Sequence, residues 1–360
     1  MRIKTKIKSL LLGAVIFLTL IACMFLIYGS FLDIKNNQSS ILDIFNSVKT
    51  DSVQNVNNNI NSHDVKLVAV GDIMLSRGVN ARMVKNGDDY PFLKVADYLK
   101  SGDIVFGNLE SPIALGDTIA LDGTVFRARP GVEKSLKNAG FNVLSLANNH
   151  MGNQGQSGVE YTINSLKSVL INTSGAGKDY NSAHTPVIIE KNGLKFAFLS
   201  YTDGSIIPDS YEAKNSNYGV AYMDEDKLKE DVLKAKKLAD FVIVSMHAGL
   251  EYTYRPTQKQ ISFAHTAIDS GAELVLGHHP HQIQDVENYK GKYIFYSLGN
   301  FVFDQEWSME TKQGLLAEIY FNKSGLVDYN LIPILISDYA QPNILSDDEA
   351  IEVFKSIKRP

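Results

Sequence analysis

Residues 66–74 read Lys66-Leu67-Val68-Ala69-Val70-Gly71-Asp72-Ile73-Met74, an apolar, partly β-branched run that stops at a glycine and an aspartate. A short run that is apolar on both faces marks a strand buried in the middle of a sheet. Comparable runs follow at Asp103 to Phe106, Asn142 to Leu146, Leu194 to Leu199, Phe241 to Ser245, Glu273 to Leu276 and Lys292 to Tyr296. Between them, Pro91 to Leu99, Val132 to Ala139, Gly158 to Val169, Asp224 to Leu238 and Thr257 to Asp269 carry helical spacing. Such alternation predicts a layered α/β domain over residues 65–360. Toward its end, Gly314 to Ile336 reads as antiparallel strands turning at Ser324-Gly325, and Ser346 with Glu349 forms a capping box for a last helix.

Upstream of this domain the character changes. Residues 1–8 are basic, with Arg2, Lys4, Lys6 and Lys8, and residues 9–32 carry no charge. As a helix that run spans about 36 Å, enough to cross a bilayer, and the basic flank places the N-terminus in the cytoplasm. The expectation is a single-pass signal anchor in the cell membrane, in contact with the lipid bilayer, with the domain on the extracytoplasmic side. Two alternatives stand beside it: a cleaved signal peptide, and a lipobox at Leu20-Ile21-Ala22-Cys23 with a lipidated cysteine. Either leaves the domain outside. Residues 33–64, rich in Asn, Ser and Asp, read as a polar linker.

Composition excludes some functions. A net charge of −5 and no basic run beyond the first eight residues argue against nucleic acid as a partner. The only cysteine, Cys23, lies in the apolar run, so the domain has no disulfide framework and no thiolate zinc site. A metal there would be held through nitrogen and oxygen.

Polar groups gather where the predicted strands end: Gly71-Asp72, Gly107-Asn108-Leu109-Glu110, Ala147-Asn148-Asn149-His150, Met246-His247 and Gly277-His278-His279-Pro280-His281. Singly, each has a plain reading; Asp72 suits a turn or helix cap, Asn149 a turn, and His247 a satisfied core histidine. Jointly, strand ends in one orientation bring these groups into one crevice. His279 and His281, as residues i and i+2 of an extended segment, would point to one side. Glu251, Tyr252, Arg255 and Gln258 are placed to line a groove beside His247, and Asn300 to turn a further strand end toward it. His63, His184 and His265 read as surface or packing residues.

An Asp after strand one, an acid or amide after strand two, Asn-His after strand three, a lone His and then His-x-His resembles the motif order of calcineurin-like metallophosphoesterases. More closely, GDIML, GNLESPI, SLANNH, HAGLEYTYRPTQKQ, GHHPHQIQ and YSLGNFVFDQ, covering Lys66 to Gln305, resemble the bacterial capsule-synthesis proteins of the CapA/PgsA type, associated with poly-γ-glutamate. The resemblance implies an αββα layered sandwich behind one N-terminal transmembrane helix. It implies a divalent metal, Mn, Zn or Fe, held by Asp72, Asn149, His247, His279 and His281, with Glu110 or Asn108 in the bridging place and His150 as the acid. Asn148, His278, Glu251 and Asn300 are further candidates. Three departures stand out: Met74 where a His ligand is usual, Asn108 where an Asp is usual, and Asn153 where the family commonly has Asp. Three functions follow as expectations: a metal-dependent hydrolase or transferase acting on a cell-envelope polymer or a phosphate ester, a non-catalytic polymer-binding or scaffold subunit, and an exported metal-dependent phosphoesterase. The expected partners are a cell-envelope polymer such as poly-γ-glutamate and membrane subunits of a synthesis or export complex. Arg77, Arg82, Arg127, Arg129 and Arg255 are the candidate cations for an acidic polymer.

Overall fold

The computed structural model describes residues 64–116 and 123–357. The expected anchor, linker and lipobox lie outside them, and among the described residues no helix is long and apolar enough to cross a membrane.

The opening segment becomes β1 (Val65–Ile73), buried along nearly its whole length. To one side it pairs in parallel with β2 (Ile104–Leu109), and this with β3 (Val143–Ser145) and β4 (Asn172–Ser174). A two-stranded ribbon, β5 (Ala176–Gly177) with β8 (Gly219–Val220), stands apart. The second sheet has parallel β7 (Leu194–Thr202), β9 (Phe241–His247), β10 (Leu274–His278) and β12 (Lys292–Phe295). Its antiparallel edges are β6 (Val187–Lys191) and β11 (Val286–Tyr289). The chain then returns to the first sheet. There β13 (Asn300–Val302) lies parallel to β1, and β14 (Gln313–Asn322), β15 (Gly325–Ser337) and β16 (Gln341–Ile344) extend it antiparallel.

The period-2 alternation of side chains divides the core into layers. Leu67 and Ala69 of β1 meet Phe106, Phe198, Ile243, Leu276 and Phe295 in one cluster between the sheets. Val68 and Val70, on the opposite face, join Val79, Met83, Leu136, Val159 and Leu166 from helices Arg77–Asn86, Val132–Ala139 and Gly155–Ser168. Leu199, Val242, Val244 and Val275 of the second sheet pack outward on Leu228, Val232, Phe263 and Ala267 of helices Glu225–Ala235 and Gln258–Ser270. The order is helix, sheet, sheet, helix. The turn at Ser324-Gly325 forms as expected, and Glu349 accepts from the Ser346 backbone N–H to open helix Asp347–Ile357.

Gly71 in the opening motif has a steric reason. A Cβ built there would overlap the Gly299 carbonyl oxygen, so only glycine lets the 297–299 segment come close enough for the Asp72 N–H to bond Gly299 O at 3.0 Å.

Candidate metal centre

Strand register places the polar residues before any side chain is considered. In the first sheet Ser145 pairs with Asn108, Asn108 with Asp72, and Asp72 with Asn300, forming one row. In the second, Thr202, His247 and His278 form another. The two rows meet across the inter-sheet core. His278 Nδ1 lies 3.2 Å from Asp72 Oδ1, an ion-pair distance without the alignment of a hydrogen bond, and Asn108 Nδ2 lies 3.2 Å from His247 Nδ1.

Asp72 is fully buried and accepts from Asn108 Nδ2 at 2.8 Å and from the His279 backbone N–H at 3.1 Å. Burial opposes its ionisation, yet the close His278 and the fields of His247 and His281 outweigh it and hold the carboxyl well below the usual range. Glu110 is the opposite case. It too is fully buried, but among the described residues neither carboxylate oxygen has a hydrogen-bond partner. Burial first, then the charges of Asp72 and Glu251, push its carboxyl well above the usual range.

His281 closes this group. Its Nδ1 shares a 2.9 Å hydrogen bond with Asn300 Oδ1, while Nε2 faces Glu110 Oε1 at 3.8 Å. Asn300 Nδ2 is committed to Gln305 Oε1 and Thr311 O, so the amide is oriented and the network assigns the proton to His281 Nδ1. Nε2 is left as a bare donor atom beside Glu110, the arrangement in which an outer hydrogen bond aims a metal-binding imidazole. One atom each from Asp72, Glu110 and His281 lies within 4.8 Å of the others.

A second group adjoins it. His247 Nε2 lies 2.9 Å from Asn149 Oδ1 and 3.1 Å from His279 Nδ1. Burial depresses both imidazoles, helped by mutual repulsion among the histidines, and takes His279 down to about 3. Both stay neutral at pH 7, the form that ligates metals. His279 and His281 reach the site by a different route from the extended pair expected. They have φ of 99° and 57°, left-handed values that β10 imposes by ending at His278 and turning sharply. Strain of this kind in residues with side chains persists where the surroundings hold it, as at binding sites.

His150 stands at the mouth. Its ring stacks on Phe126 at 3.9 Å, Nδ1 is 3.0 Å from Asn153 Oδ1, and Nε2 faces Glu110 Oε1 at 3.8 Å. Burial takes it down to about 4 against the raising effect of Asn153. Asn153 thus orients His150, its Oδ1 also accepting from the Phe126 N–H. Asn148 is architectural: its Oδ1 accepts from the His150 and Met151 N–H groups and its Nδ2 donates to Asn108 and Leu109. Asn108 is likewise committed, to Asp72, His247 and Asn148. Met74 is buried in the outer core with its sulfur receiving the Ser76 N–H. Glu251 is exposed and acts on Glu110 only through its field.

Asp203 belongs to this neighbourhood and the sequence reading passed it over. It follows the end of β7, its N–H donates to His247 O, and Lys259 Nζ donates to its carboxylate at 2.5 Å. The signal was present, because Thr202-Asp203-Gly204 is a sixth polar strand end. Of the proposed cations, Arg77, Arg82, Arg129 and Arg255 are paired with Asp304, Asp338, Asp88 and Asp285.

Residues 66–305 match the family model described as bacterial capsule synthesis protein PGA_cap. The chain belongs to this family. Among its relatives is the capsule biosynthesis protein CapA of Bacillus anthracis, 35% identical, with 81% of this chain and 72% of that protein aligned. The PGA biosynthesis protein CapA of Bacillus subtilis (strain 168) is 34% identical over 77% of this chain and 73% of that one. A hypothetical protein from Thermus thermophilus shares the fold, with a TM-score of 0.50 at 16% identity, covering 75% of this chain and 98% of the other. The match to the capsule synthesis family embraces Asp72, Glu110, His247 and His281 and ends just after Asn300, so the whole cluster lies inside it.

Proposed function

We propose that this protein serves the synthesis of a capsule or cell-envelope polymer of the poly-γ-glutamate type, using a divalent metal in a metallophosphoesterase-like centre. Family membership supports the polymer. The metal rests on one observation above all: Glu110 is buried with both oxygens unpartnered, next to Asp72 and the bare Nε2 of His281. A buried carboxylate in that condition is costly, and a divalent transition-metal cation is the partner that carboxylate and imidazole together fit. Asp72, Glu110 and His281 would hold the ion, with Asn149, His247 and His279 as the adjoining donor set. Mn, Zn and Fe all suit such ligands.

The ion would supply Lewis-acid polarisation of a substrate oxygen. Around it, Asn300 aims His281, Asn108 spaces Asp72 from His247, and Asn153 with Phe126 fixes His150. His150 presents Nε2 to the crevice; as a neutral ring whose Nδ1–H is given to Asn153, it would have to take up a proton at Nε2 before passing one to a leaving group. The uncharged run 9–32 behind a basic flank supports a membrane anchor with the domain outside, near membrane subunits of a synthesis or export complex.

A second reading, a polymer-binding subunit without catalysis, is favoured by Asn108 and Met74, whose polar atoms are all engaged within the protein. Polymer production in cells carrying the double variant His150→Ala, His281→Ala separates the two. Loss of polymer at normal protein level supports the enzyme; undiminished polymer supports the subunit.

A further inference from the structure

A line of aromatic rings leads out of the metal centre. His281, 2% exposed, lies 6.0 Å from Tyr252 with the rings 27° apart, and Tyr252, 42% exposed, meets Trp307 edge-on at 5.7 Å. Trp307 is 63% exposed. Leu250, beside Tyr252, and Met309, at the start of helix Met309–Lys312, are exposed as well. This apolar rim is held in place: the Tyr252 N–H donates to Pro280 O at 2.8 Å, its φ is 60°, and its hydroxyl accepts from Gln305 Nε2 at 3.3 Å. Large exposed aromatics continuous with a polar crevice mark binding surface more often than idle surface.

Charge narrows the occupant. Four cations that border the crevice are already matched, Arg255 with Asp285, Lys259 with Asp203, Arg77 with Asp304 and Lys312 with Glu306. An acidic polymer would therefore be gripped at this rim chiefly by its uncharged parts. We propose that Tyr252 and Trp307 form an apolar subsite that seats the methylene and amide stretch of a polyanionic chain while the metal centre takes one of its carboxylates. The subsite rests on the polymer reading above and names the part of the polymer it contacts.

Trp307 is the chain's single tryptophan, so its emission reports on this rim alone. The test titrates a poly-γ-glutamate oligomer into the full chain loaded with Mn²⁺, reading Trp307 emission and, in parallel, heat of binding. The oligomer should shift the emission, and Trp307→Ala and Tyr252→Ala should each weaken binding roughly tenfold, with Trp307→Phe keeping most of it. The ratio of wild-type to Trp307→Ala affinity should hold from about 50 mM to about 500 mM salt, since an apolar contact is not screened. Metal content and thermal unfolding of each variant report whether it is folded. Oligomer binding with unmoved emission and unchanged affinity in both alanine variants overturns the subsite and leaves the polymer reading intact. No oligomer binding to the metal-loaded wild type overturns both. An emission shift that follows protein concentration instead of oligomer overturns the subsite in favour of self-association.

Discussion

Replacing Glu110 by glutamine should invert the stability order of two proteins according to whether metal is present. Glutamine keeps the shape of the side chain, cannot become the carboxylate that a cation needs, and has amide N–H groups able to donate to the neighbouring Asp72 carboxylate. Without metal, wild-type Glu110 carries the cost of a buried group with no partner, about 1–3 kcal/mol, and Glu110→Gln relieves part of it. At a metal concentration about 100 times Kd, binding stabilises the wild type by about 2.7 kcal/mol. For a domain of this size each kcal/mol moves Tm by roughly 2 °C. Glu110→Gln should therefore unfold a few degrees above wild type in chelator, and about as far below it in Mn²⁺. Scanning calorimetry of the full chain in both conditions measures the crossing. If Glu110→Gln unfolds below wild type by the same margin in chelator and in metal, Glu110 has a structural role and the reasoning fails.

Asn300→Ala removes the bond that aims His281 and should weaken metal affinity about 10- to 100-fold, as loss of such outer partners does; competition with a chelating dye measures it. The buried pair of Asp231 with His184, at 2.8 Å, and with Lys227, at 2.9 Å, makes a pH prediction. Burial opposes ionisation of Asp231, but those two partners outweigh it and lower its carboxyl below the ordinary 3.8. A depressed carboxyl stabilises the fold above its unfolded value and loses that contribution as pH falls through its folded value. Asp231→Asn should thus cost about 3 kcal/mol at pH 7, the order expected for breaking a buried pair, and the gap to wild type should close as pH drops below about 4, read by urea unfolding across pH.

Much of this was legible in the chain because strand ends are written in local sequence. Gly71-Asp72, Asn108 to Glu110, Asn149-His150, His247 and His279 to His281 all lie in one crevice, and the six motif blocks cover the span that the family model matches. What local sequence does not carry is partner identity. Asn148 and Asn149 are neighbours of one type, yet one braces a loop and the other faces His247. His184 and His265, read from sequence as surface or packing residues, pair with Asp231 and Glu287 across 47 and 22 residues. The geometry of His279 and His281 was misjudged because a sharp turn after a strand leaves no periodic trace. Strands β4 and β6, short or partly exposed, lack the apolar run that made β1 readable. Asn300 acquires its role only when β13 returns to lie beside β1.

If the unpartnered carboxylate of Glu110 is one wall of a metal site, the protein's metal content reports it. Elemental analysis of the full chain after equilibration with Mn²⁺, Zn²⁺ or Fe²⁺ and removal of excess should find close to a full equivalent of one of them in wild type. It should find little in Glu110→Ala and in His281→Ala at matched fold. Wild type free of all three, or variants that retain as much as wild type, would contradict the account.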